Sequence, residues 1–360
     1  MTLLEEMLSH LSEIQGSDLH LKPRAVPHVR VDGELRSAPF EALEPGVVEA
    51  LAAEVFDDDR LRELAEHGEV SGAFRLSGIG RFRVSVHRQR GSLAMVVRQV
   101  PLAIPTLDGM GLSPQLDRFA EEQTGLVLVT GAPGSGKSTT VAALVDHINR
   151  RRACHILTIE DPIEALHADI EAMVTQREVG ADTTSYAAAV RSGLRQDADV
   201  MFVGEINDVE TARAVLLAAQ VGHLVISTMQ AANISDTLVR FIDLFPASEQ
   251  TSARESLLGV LRGIVSQRLL ERADGKGRIP ALEILVGTSR VIDCISDPLH
   301  LHNLDTVLAD GRYHGMQTLD QALLELTRDG MVSASDALAV SSNPEGLRIS
   351  LSEAGVGASL

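Results

Sequence analysis

A single octapeptide, Gly131-Ala-Pro-Gly-Ser-Gly-Lys-Ser138, constrains the fold of this chain more than any other feature. It matches the pattern G-x-x-x-x-G-K-[ST], follows the apolar run Leu126–Val129 and precedes a segment with helical periodicity. Glycines in such a turn let backbone N–H groups converge on phosphate oxygens, and the N-terminus of the next helix favours an anion. The sequence therefore predicts a nucleoside-triphosphate site between a strand and a helix.

The predicted phosphate-binding loop also gives roles to individual side chains. Lys137 would reach the β- and γ-phosphates, and Ser138 would be a ligand of Mg²⁺. The loop residues predicted to bind the nucleotide are Gly131, Pro133, Gly134, Ser135, Gly136, Lys137, Ser138 and Thr139.

Downstream of Gly125 the chain alternates short apolar runs with helical segments. The runs are Leu126–Val129, Ile156–Ile159, Val200–Val203 and His223–Ile226, and helices are predicted near 138–149, 185–196, 208–220 and 234–242. Buried strands that alternate with helices predict an α/β fold with a mostly parallel sheet. We further predict a long helix over Ser248–Leu270 and a mainly helical remainder.

The rest of the chain divides by its composition. Residues 1–100 carry short alternating runs, which predict a smaller α+β domain. Proline and glycine crowd into residues 101–115, which are predicted to be a linker. The core is predicted over 116–340 with a helical C-terminal part, and residues 341–360 are predicted to be a flexible tail.

Composition excludes several classes of protein. The 360 residues carry a net charge of −18 and two cysteines. An acidic chain lacks the basic face that duplex binding requires, so no nucleic-acid partner is predicted. Two cysteines cannot form a disulfide framework or a tetrahedral zinc site. Since there is no apolar run of about 20 residues and no basic leader, the sequence predicts a reduced, cytoplasmic protein.

Acidic residues follow two of the predicted strands. Glu205 follows one strand, and Glu160 and Asp161 follow another. Ligands of open α/β sheets bind at the carboxyl ends of strands, so Glu205 is predicted to polarise or deprotonate the attacking water. Glu160 and Asp161 are candidates either to hold Mg²⁺ or to position the nucleophile, and Asp161 alternatively starts a turn before Pro162.

Four arginines are candidates for stabilising a transferring phosphate, a task that guanidinium groups often perform from a neighbouring subunit. Arg191 and Arg195 lie four residues apart, as on one face of a helix, before the strand that ends at Glu205. Arg83 and Arg98 lie on separate strand-like segments of the N-terminal domain. Each of them has the alternative of being a solvated surface charge.

Together these segments resemble the secretion-superfamily ATPases, and most of all the PilT-type motors that retract type IV pili. The resemblance covers nearly the whole chain. Its motifs are Ser17–Pro23, an Asp box at Ile156–Glu164, a Walker B segment at Leu194–Glu205, a His box at Gly222–Thr228 and a C-terminal signature at Gly315–Asp320.

The resemblance implies a RecA-like P-loop ATPase core, a PAS-like N-terminal domain and a homohexameric ring with ATP between subunits. It assigns catalysis to Glu205, Glu160, His223, Arg191 and Arg195, nucleotide contacts to Arg83 and Arg98, and Mg²⁺ binding to Ser138, Glu160 and Asp161. The implied partners are a PilC-like platform protein of the inner membrane and a paralogous pilus ATPase. The chain would then lie at the inner face of the cytoplasmic membrane.

The sequence departs from this family at three places. Gln230 replaces the second histidine of the His box, Asn207 replaces a common arginine, and the retraction motif is degraded at Arg290–Cys294. Glutamine keeps hydrogen-bonding capacity but carries no charge. These departures leave two further hypotheses: an accessory subunit that hydrolyses ATP weakly, and a pilus assembly or type II secretion motor. The short N-terminal lobe and the two cysteines favour the retraction branch over the second.

Overall fold

A computed structural model describes residues 2–31, 33–76, 78–100 and 104–356. The chain divides into two compact units, residues 1–103 with 164–166, and residues 104–163 with 167–360. In the described ranges, every helix is too short or too polar to cross a membrane.

The first unit is an antiparallel sheet with helices. Its elements are α1 (Leu3–Glu13), β1 (Asp18–Leu21), β2 (His28–Val31), β3 (Glu34–Ser37), α2 (Val47–Val55), α3 (Asp58–His67), β4 (Glu69–Leu76), β5 (Gly80–Gln89) and β6 (Ser92–Gln99). The strand order is β3-β2-β1-β6-β5-β4. Alternation along the strands sends one set of side chains into a core shared with the helices and leaves charged residues on the other face.

The second unit contains a mostly parallel sheet. Its strands are β7 (Gly125–Thr130), β8 (His155–Glu160), β9 (Met173–Glu178), β10 (Val200–Val203), β11 (Leu224–Met229), β12 (Leu261–Glu271) and β13 (Arg278–Val286). Their order is β13-β12-β7-β11-β10-β8-β9, and β13 is antiparallel to β12 whereas the other pairs are parallel. The predicted α/β class with a mostly parallel sheet is confirmed.

Helices cover this sheet and continue beyond it. They are α4 (Gln115–Glu121), α5 (Lys137–Asn149), α6 (Tyr186–Gly193), α7 (Val209–Gln220), α8 (Ile234–Asp243), α9 (Gln250–Val260), α10 (Ser289–Ser296), α11 (Leu304–Asp310), α12 (Leu319–Arg328), α13 (Ala334–Val340) and α14 (Pro344–Glu353). Two apolar clusters, each containing strand and helix residues, form the core of this part of the chain. Central strands such as β7 and β11 are buried along their whole length, which explains their continuous apolar sequence.

The predicted long helix over Ser248–Leu270 is wrong in its second half. The helix α9 ends at Val260 and the chain continues directly into the strand β12. Consecutive residues of β12 are buried, so both faces of the strand are covered and its sequence lacks the alternation that distinguishes a strand from a buried helix. The remainder of the chain also contains β13, which the prediction of a mainly helical remainder did not include.

Part of the predicted linker belongs to the second unit. Leu107 and Leu112 lie within residues 101–115, yet they are buried in the same apolar cluster as Leu116 and Phe119 of α4. Residues 101–103 lie outside the described residues.

The predicted flexible tail over 341–360 is wrong for α14. Leu347 and Leu351 of this helix are buried in a cluster with residues of β13 and α12. Asp320, the last residue of the C-terminal signature, holds the preceding turn: its carboxylate accepts hydrogen bonds from the hydroxyls of Ser341 and Ser342 and the N–H of Asn343 at 2.7–3.1 Å. Local sequence patterns could not predict this contact, because it joins residues more than 20 positions apart. Residues 357–360 lie outside the described residues.

Two substitutions on one helix test the packing of α14. Leu351→Ala should lower the free energy of unfolding by about 2–5 kcal/mol, because it removes a fully buried side chain. Ile349→Ala is the control, since this side chain is 61% exposed, and it should change the free energy by less than about 0.5 kcal/mol. Chemical denaturation measures the free energy of unfolding of both variants. If Leu351→Ala changed it as little as Ile349→Ala, the segment would not pack in solution.

Candidate functional site

The phosphate-binding loop connects the end of β7 to the start of α5, as the sequence predicted. Gly131 and Gly136 have φ values of 147° and 88°, a region that glycine adopts without strain. A Cβ on Gly131 would lie 2.5 Å from the Ser135 Oγ. Only glycine fits at this position, so the loop can fold tightly and leave its backbone N–H groups for a ligand.

Lys137 lies at the first position of α5 and folds back over the loop. Its Nζ donates hydrogen bonds to the carbonyl oxygens of Gly131 at 2.9 Å and Ala132 at 3.1 Å. Ser138 and Thr139 are exposed on the same helical turn. The ammonium group and the hydroxyls therefore stand at the helix N-terminus, where the helix dipole also favours negative charge.

Glu160 is the last residue of β8 and is only 6% exposed. Its Oε1 accepts hydrogen bonds from the Thr158 hydroxyl at 2.7 Å and from the Gln176 side-chain amide at 3.1 Å. These contacts orient the carboxylate at the strand end, whereas the neighbouring Asp161 is exposed. Gln176 is a residue that the sequence reasoning did not assign to the site, since only the adjacent pairing of β8 and β9 brings it there.

Glu205 comes two residues after the end of β10. The register pairs Val203 with Ile159, and the Gly204 N–H donates to the Ile159 carbonyl at 2.8 Å, so Glu205 emerges beside the end of β8. The pairing of β7, β11 and β10 places the phosphate-binding loop at the same carboxyl edge of the sheet. The structure thus brings Glu160, Glu205 and the loop to one edge.

Two of the departures from the resembled family lie beside Glu205. Asn207 and Gln230 line the same cleft of about 430 Å³ as Glu205, together with Arg240 of α8. Arg240 Nε donates to both carboxylate oxygens of Asp236 at 2.8–2.9 Å. With Asp243, the cleft therefore contains two carboxylates, two amides and one guanidinium group.

The residues at this edge fit a magnesium ion that arrives with a nucleotide. Mg²⁺ is usually held by one or two protein oxygens, substrate phosphates and waters. The predicted ligands Ser138, Glu160 and Asp161 supply one hydroxyl and two carboxylates at the carboxyl edge. Across the described part of the chain, no cluster of three His, Cys, Asp or Glu side chains forms a metal site by itself.

His223 does not join this edge. It precedes β11, and its carbonyl oxygen accepts a hydrogen bond from the N–H of Gly125, the first residue of β7, at 3.0 Å. The six residues of β11 separate it from Gln230 by about 20 Å, so His223 lies at the amino edge of the sheet. The resemblance names both His223 and Glu205 as catalytic, but a motif gives residue order and not the edge at which each residue emerges, and the catalytic role of His223 stays a prediction.

The predicted shared helix face of Arg191 and Arg195 is wrong. Arg195 lies in the turn that leads to β10, away from the carboxyl edge, whereas the Arg191 guanidinium pairs with Glu210 at the start of α7, on the side where β10 ends. The helix α6 ends at Gly193, so Arg195 lies in the following turn and donates from Nη1 to the Arg191 carbonyl at 3.3 Å. That turn leads to Asp199, whose carboxylate accepts a hydrogen bond from the N–H of His155, the first residue of β8. Arg191 forms an ion pair of 3.7 Å with Glu210, and its side chain is 53% exposed.

Arg83 and Arg98 belong to the first unit and lie directly opposite each other on β5 and β6. Like charges in that position repel, so the pair needs a counter-charge. Arg98 Nε donates to the buried carboxylate of Asp18 at 2.7 Å, and Arg83 is exposed on the same face. Burial alone would raise the pKa of Asp18, but hydrogen bonds from Ser17 and Arg98 outweigh it and lower the pKa.

Two further buried polar residues near the site were missed by the sequence reasoning. Gln267 of β12 contacts the phosphate-binding loop, and Glu283 of β13 accepts a hydrogen bond from the N–H of Ile234, the first residue of α8, at 3.0 Å. Both lie in segments predicted to be helical, so no sequence signal placed them near the loop. Glu283 orients the helix that carries Arg240 into the cleft.

Comparisons with known proteins show the family of this chain and proteins with a similar fold. The family model for type II/IV secretion system proteins matches residues 1–293. The type IV pilus retraction ATPase PilT of Pseudomonas aeruginosa is 37% identical over 342 residues, which are 95% of this chain and 99% of that protein. The type IV pilus ATPase PilU of the same organism is 37% identical over 96% of this chain and 90% of that protein. A crystal structure of the pilus retraction motor PilT with bound ADP matches with a TM-score of 0.88 at 39% identity, covering 96% of this chain and 98% of that one.

The stability of the chain should depend on the protonation of Glu283. Burial raises the pKa of Glu283 to about 7 against the opposing hydrogen bond from Ile234, from an ordinary value of 4.5. Between these values the folded protein keeps a proton that the unfolded chain has lost, so stability should fall as the pH rises from about 4.5 to 7, by up to about 3 kcal/mol.

Glu283→Gln should remove this component while retaining an oxygen acceptor for the Ile234 N–H. Denaturation at pH 5 and pH 7.5 measures the difference between the two proteins. An identical pH slope in wild type and Glu283→Gln would contradict the assignment.

Proposed function

The chain belongs to the type II/IV secretion system protein family and is an ATPase, and from this we propose that it is a motor that retracts type IV pili. The observation that carries the proposal is the common carboxyl edge of the phosphate-binding loop, Glu160 and Glu205. Relatives of the PilT and PilU type match this chain over nearly their entire lengths, which supports the retraction branch.

Hydrolysis requires a bound triphosphate, an oriented water and stabilisation of charge on the γ-phosphate. Backbone N–H groups of the loop and Lys137 would hold the phosphates, with Lys137 exchanging its loop carbonyl contacts for phosphate oxygens. Glu205 would accept a proton from the attacking water. Glu160, fixed by Thr158 and Gln176, would keep that water in line. Bound Mg²⁺ would neutralise phosphate charge, with Ser138 as its protein ligand.

We propose a homohexameric assembly in which arginines act on the nucleotide of a neighbouring subunit. The support is the position of Arg195 and His223 at the amino edge of the sheet, away from the loop of their own chain. In the first unit, Arg83 and Arg98 lie opposite each other, and Asp18, on the far side of Arg98, pairs with Arg98. Groups so placed would contribute to phosphoryl transfer in trans.

Such an assembly would turn hydrolysis into movement. Arginines that grip the γ-phosphate stabilise a closed arrangement of two subunits only while that phosphate is present. Its loss removes the differential stabilisation, and the pair opens. Sequential opening around a ring would displace a PilC-like platform protein of the inner membrane. The chain would then act at the cytoplasmic face of that membrane. A paralogous pilus ATPase would be a second partner in the same assembly.

One observation favours a second function, an accessory subunit that hydrolyses ATP weakly. Gln230 and Asn207 place two neutral amides in the cleft of Glu205, where a histidine and an arginine are usual in the resembled family. Arg240 lines the same cleft, and its guanidinium is paired with Asp236. Because the loop, Glu160 and Glu205 share the carboxyl edge, we favour an active motor over the accessory subunit.

Two substitutions separate binding from chemistry. Lys137→Ala should abolish ATP binding, because it removes the ammonium group that would pair with the phosphates. Glu205→Gln should bind ATP normally yet lower phosphate release at least about 100-fold, since the amide cannot accept the proton. Equilibrium nucleotide binding and phosphate release by the purified chain measure both. Unchanged turnover in Glu205→Gln would remove that residue from the mechanism.

A third substitution decides between motor and accessory subunit. The wild-type chain alone should release phosphate well above the Lys137→Ala background, and Gln230→His should change the rate by less than about threefold, well under the ~10²-fold that a missing catalytic group costs. Purified wild type and variant are compared in one phosphate-release assay. A wild type at background that gains turnover through Gln230→His would establish the accessory function instead.

A further inference from the structure

A buried glutamine of β12 connects the phosphate-binding loop to α5. Gln267 is 1% exposed, and both of its terminal polar atoms are engaged. Its Nε2 donates to the carbonyl oxygen of Ser135 at 2.7 Å, and its Oε1 accepts from the hydroxyl of Thr140 at 2.7 Å. Thr140 is in the first turn of α5 and is fully buried. One side-chain amide therefore links the loop, the helix and the sheet.

The loop also rests on Gln267 through its glycines. A Cβ on Gly131 would lie 2.5 Å from the Gln267 carbonyl oxygen, and a Cβ on Gly136 would lie 2.8 Å from its Nε2. Both ends of the loop thus approach one residue too closely for any side chain. The phosphate-binding loop therefore packs against Gln267 at both of its ends.

The hydrogen bond to Ser135 sets the direction of a peptide unit. In a trans peptide the C=O and the N–H point to opposite sides. Holding the Ser135 carbonyl toward Gln267 of β12 therefore aims the Gly136 N–H to the opposite side of the peptide. Gly136 is the N-cap of α5, and N–H groups at a helix N-terminus are the ones that bind phosphate.

We propose that Gln267 is a positioning residue for the nucleotide: it fixes the peptide between Ser135 and Gly136 so that the loop presents its N–H groups to phosphate before the nucleotide arrives. This inference rests on the proposed ATPase function and extends it to a residue outside the loop. An amide is required because the residue must donate on one side and accept on the other.

The first test is the isosteric substitution Gln267→Met in the full chain. It should weaken Mg·ADP and Mg·ATP binding at least tenfold, since a freely turning peptide must be ordered on binding. In turnover it should raise KM for ATP much more than it lowers kcat. Fluorescent-nucleotide titration and phosphate release measure these quantities.

Asn149→Leu is the matched control at the far end of α5. Asn149 is a buried amide whose Nδ2 also donates to a backbone carbonyl, that of Ala168, at 2.7 Å. Asn149 Oδ1 also accepts a hydrogen bond from the Ile170 N–H at 3.3 Å, so each substitution removes one donated and one accepted hydrogen bond and should destabilise the fold similarly. Only Gln267→Met should weaken nucleotide binding. Wild-type affinity in Gln267→Met, or an equal loss in Asn149→Leu, would overturn the proposal.

Gln267→Glu keeps the shape and adds a readout that a merely structural residue would not give. The protonated carboxyl can still donate to the Ser135 carbonyl, whereas the carboxylate cannot. Nucleotide affinity relative to wild type at the same pH should therefore fall as the pH rises. A constant ratio across pH would contradict the proposal. Failure of the wild type itself to bind Mg·ATP would instead refute the proposed function.

Discussion

The parallel pairing of β7, β11, β10 and β8 is the constraint on which the site depends. Residues that leave parallel strands at their carboxyl ends must meet at one edge, and residues that enter the strands must meet at the other. The phosphate-binding loop, Glu160 and Glu205 are at the first edge. Arg195 and His223 are at the second. One chain thus separates the phosphate-binding loop from two of the residues to which the resemblance assigns catalysis, and this separation supports the proposed assembly.

Much of this arrangement was predictable because short-range patterns carried it. The strand, glycine loop and helix around Lys137 follow from eight residues and their flanks, and the position of Glu205 follows from the strand before it. The PilT-type resemblance was also correct at the level of the family. These inferences need only local order along the chain, which sequence gives directly.

Other features depend on contacts that sequence order does not contain. The strand β12 was predicted to be a helix, because burial on both faces removes the alternation of apolar and polar residues. For the same reason the contact between Gln267 and the phosphate-binding loop was not predicted. The position of His223 at the amino edge depends on the six-residue length of β11, which the motif does not state. The tail was predicted to be loose, although Asp320 fixes the turn before α14. Each error concerns where a strand or turn meets a partner distant in the chain.

We propose that a triphosphate occupies the carboxyl edge of the second unit's sheet. A crystal structure of the chain with Mg²⁺ and a non-hydrolysable ATP analogue tests this directly. We expect the β- and γ-phosphates within hydrogen-bond distance of the Gly136 N–H and Lys137 Nζ, with the Glu205 carboxylate facing the γ-phosphate and the Ser135 carbonyl still bound to Gln267. Phosphates bound elsewhere in the same chain, or a loop that releases Gln267 when the nucleotide binds, would contradict it.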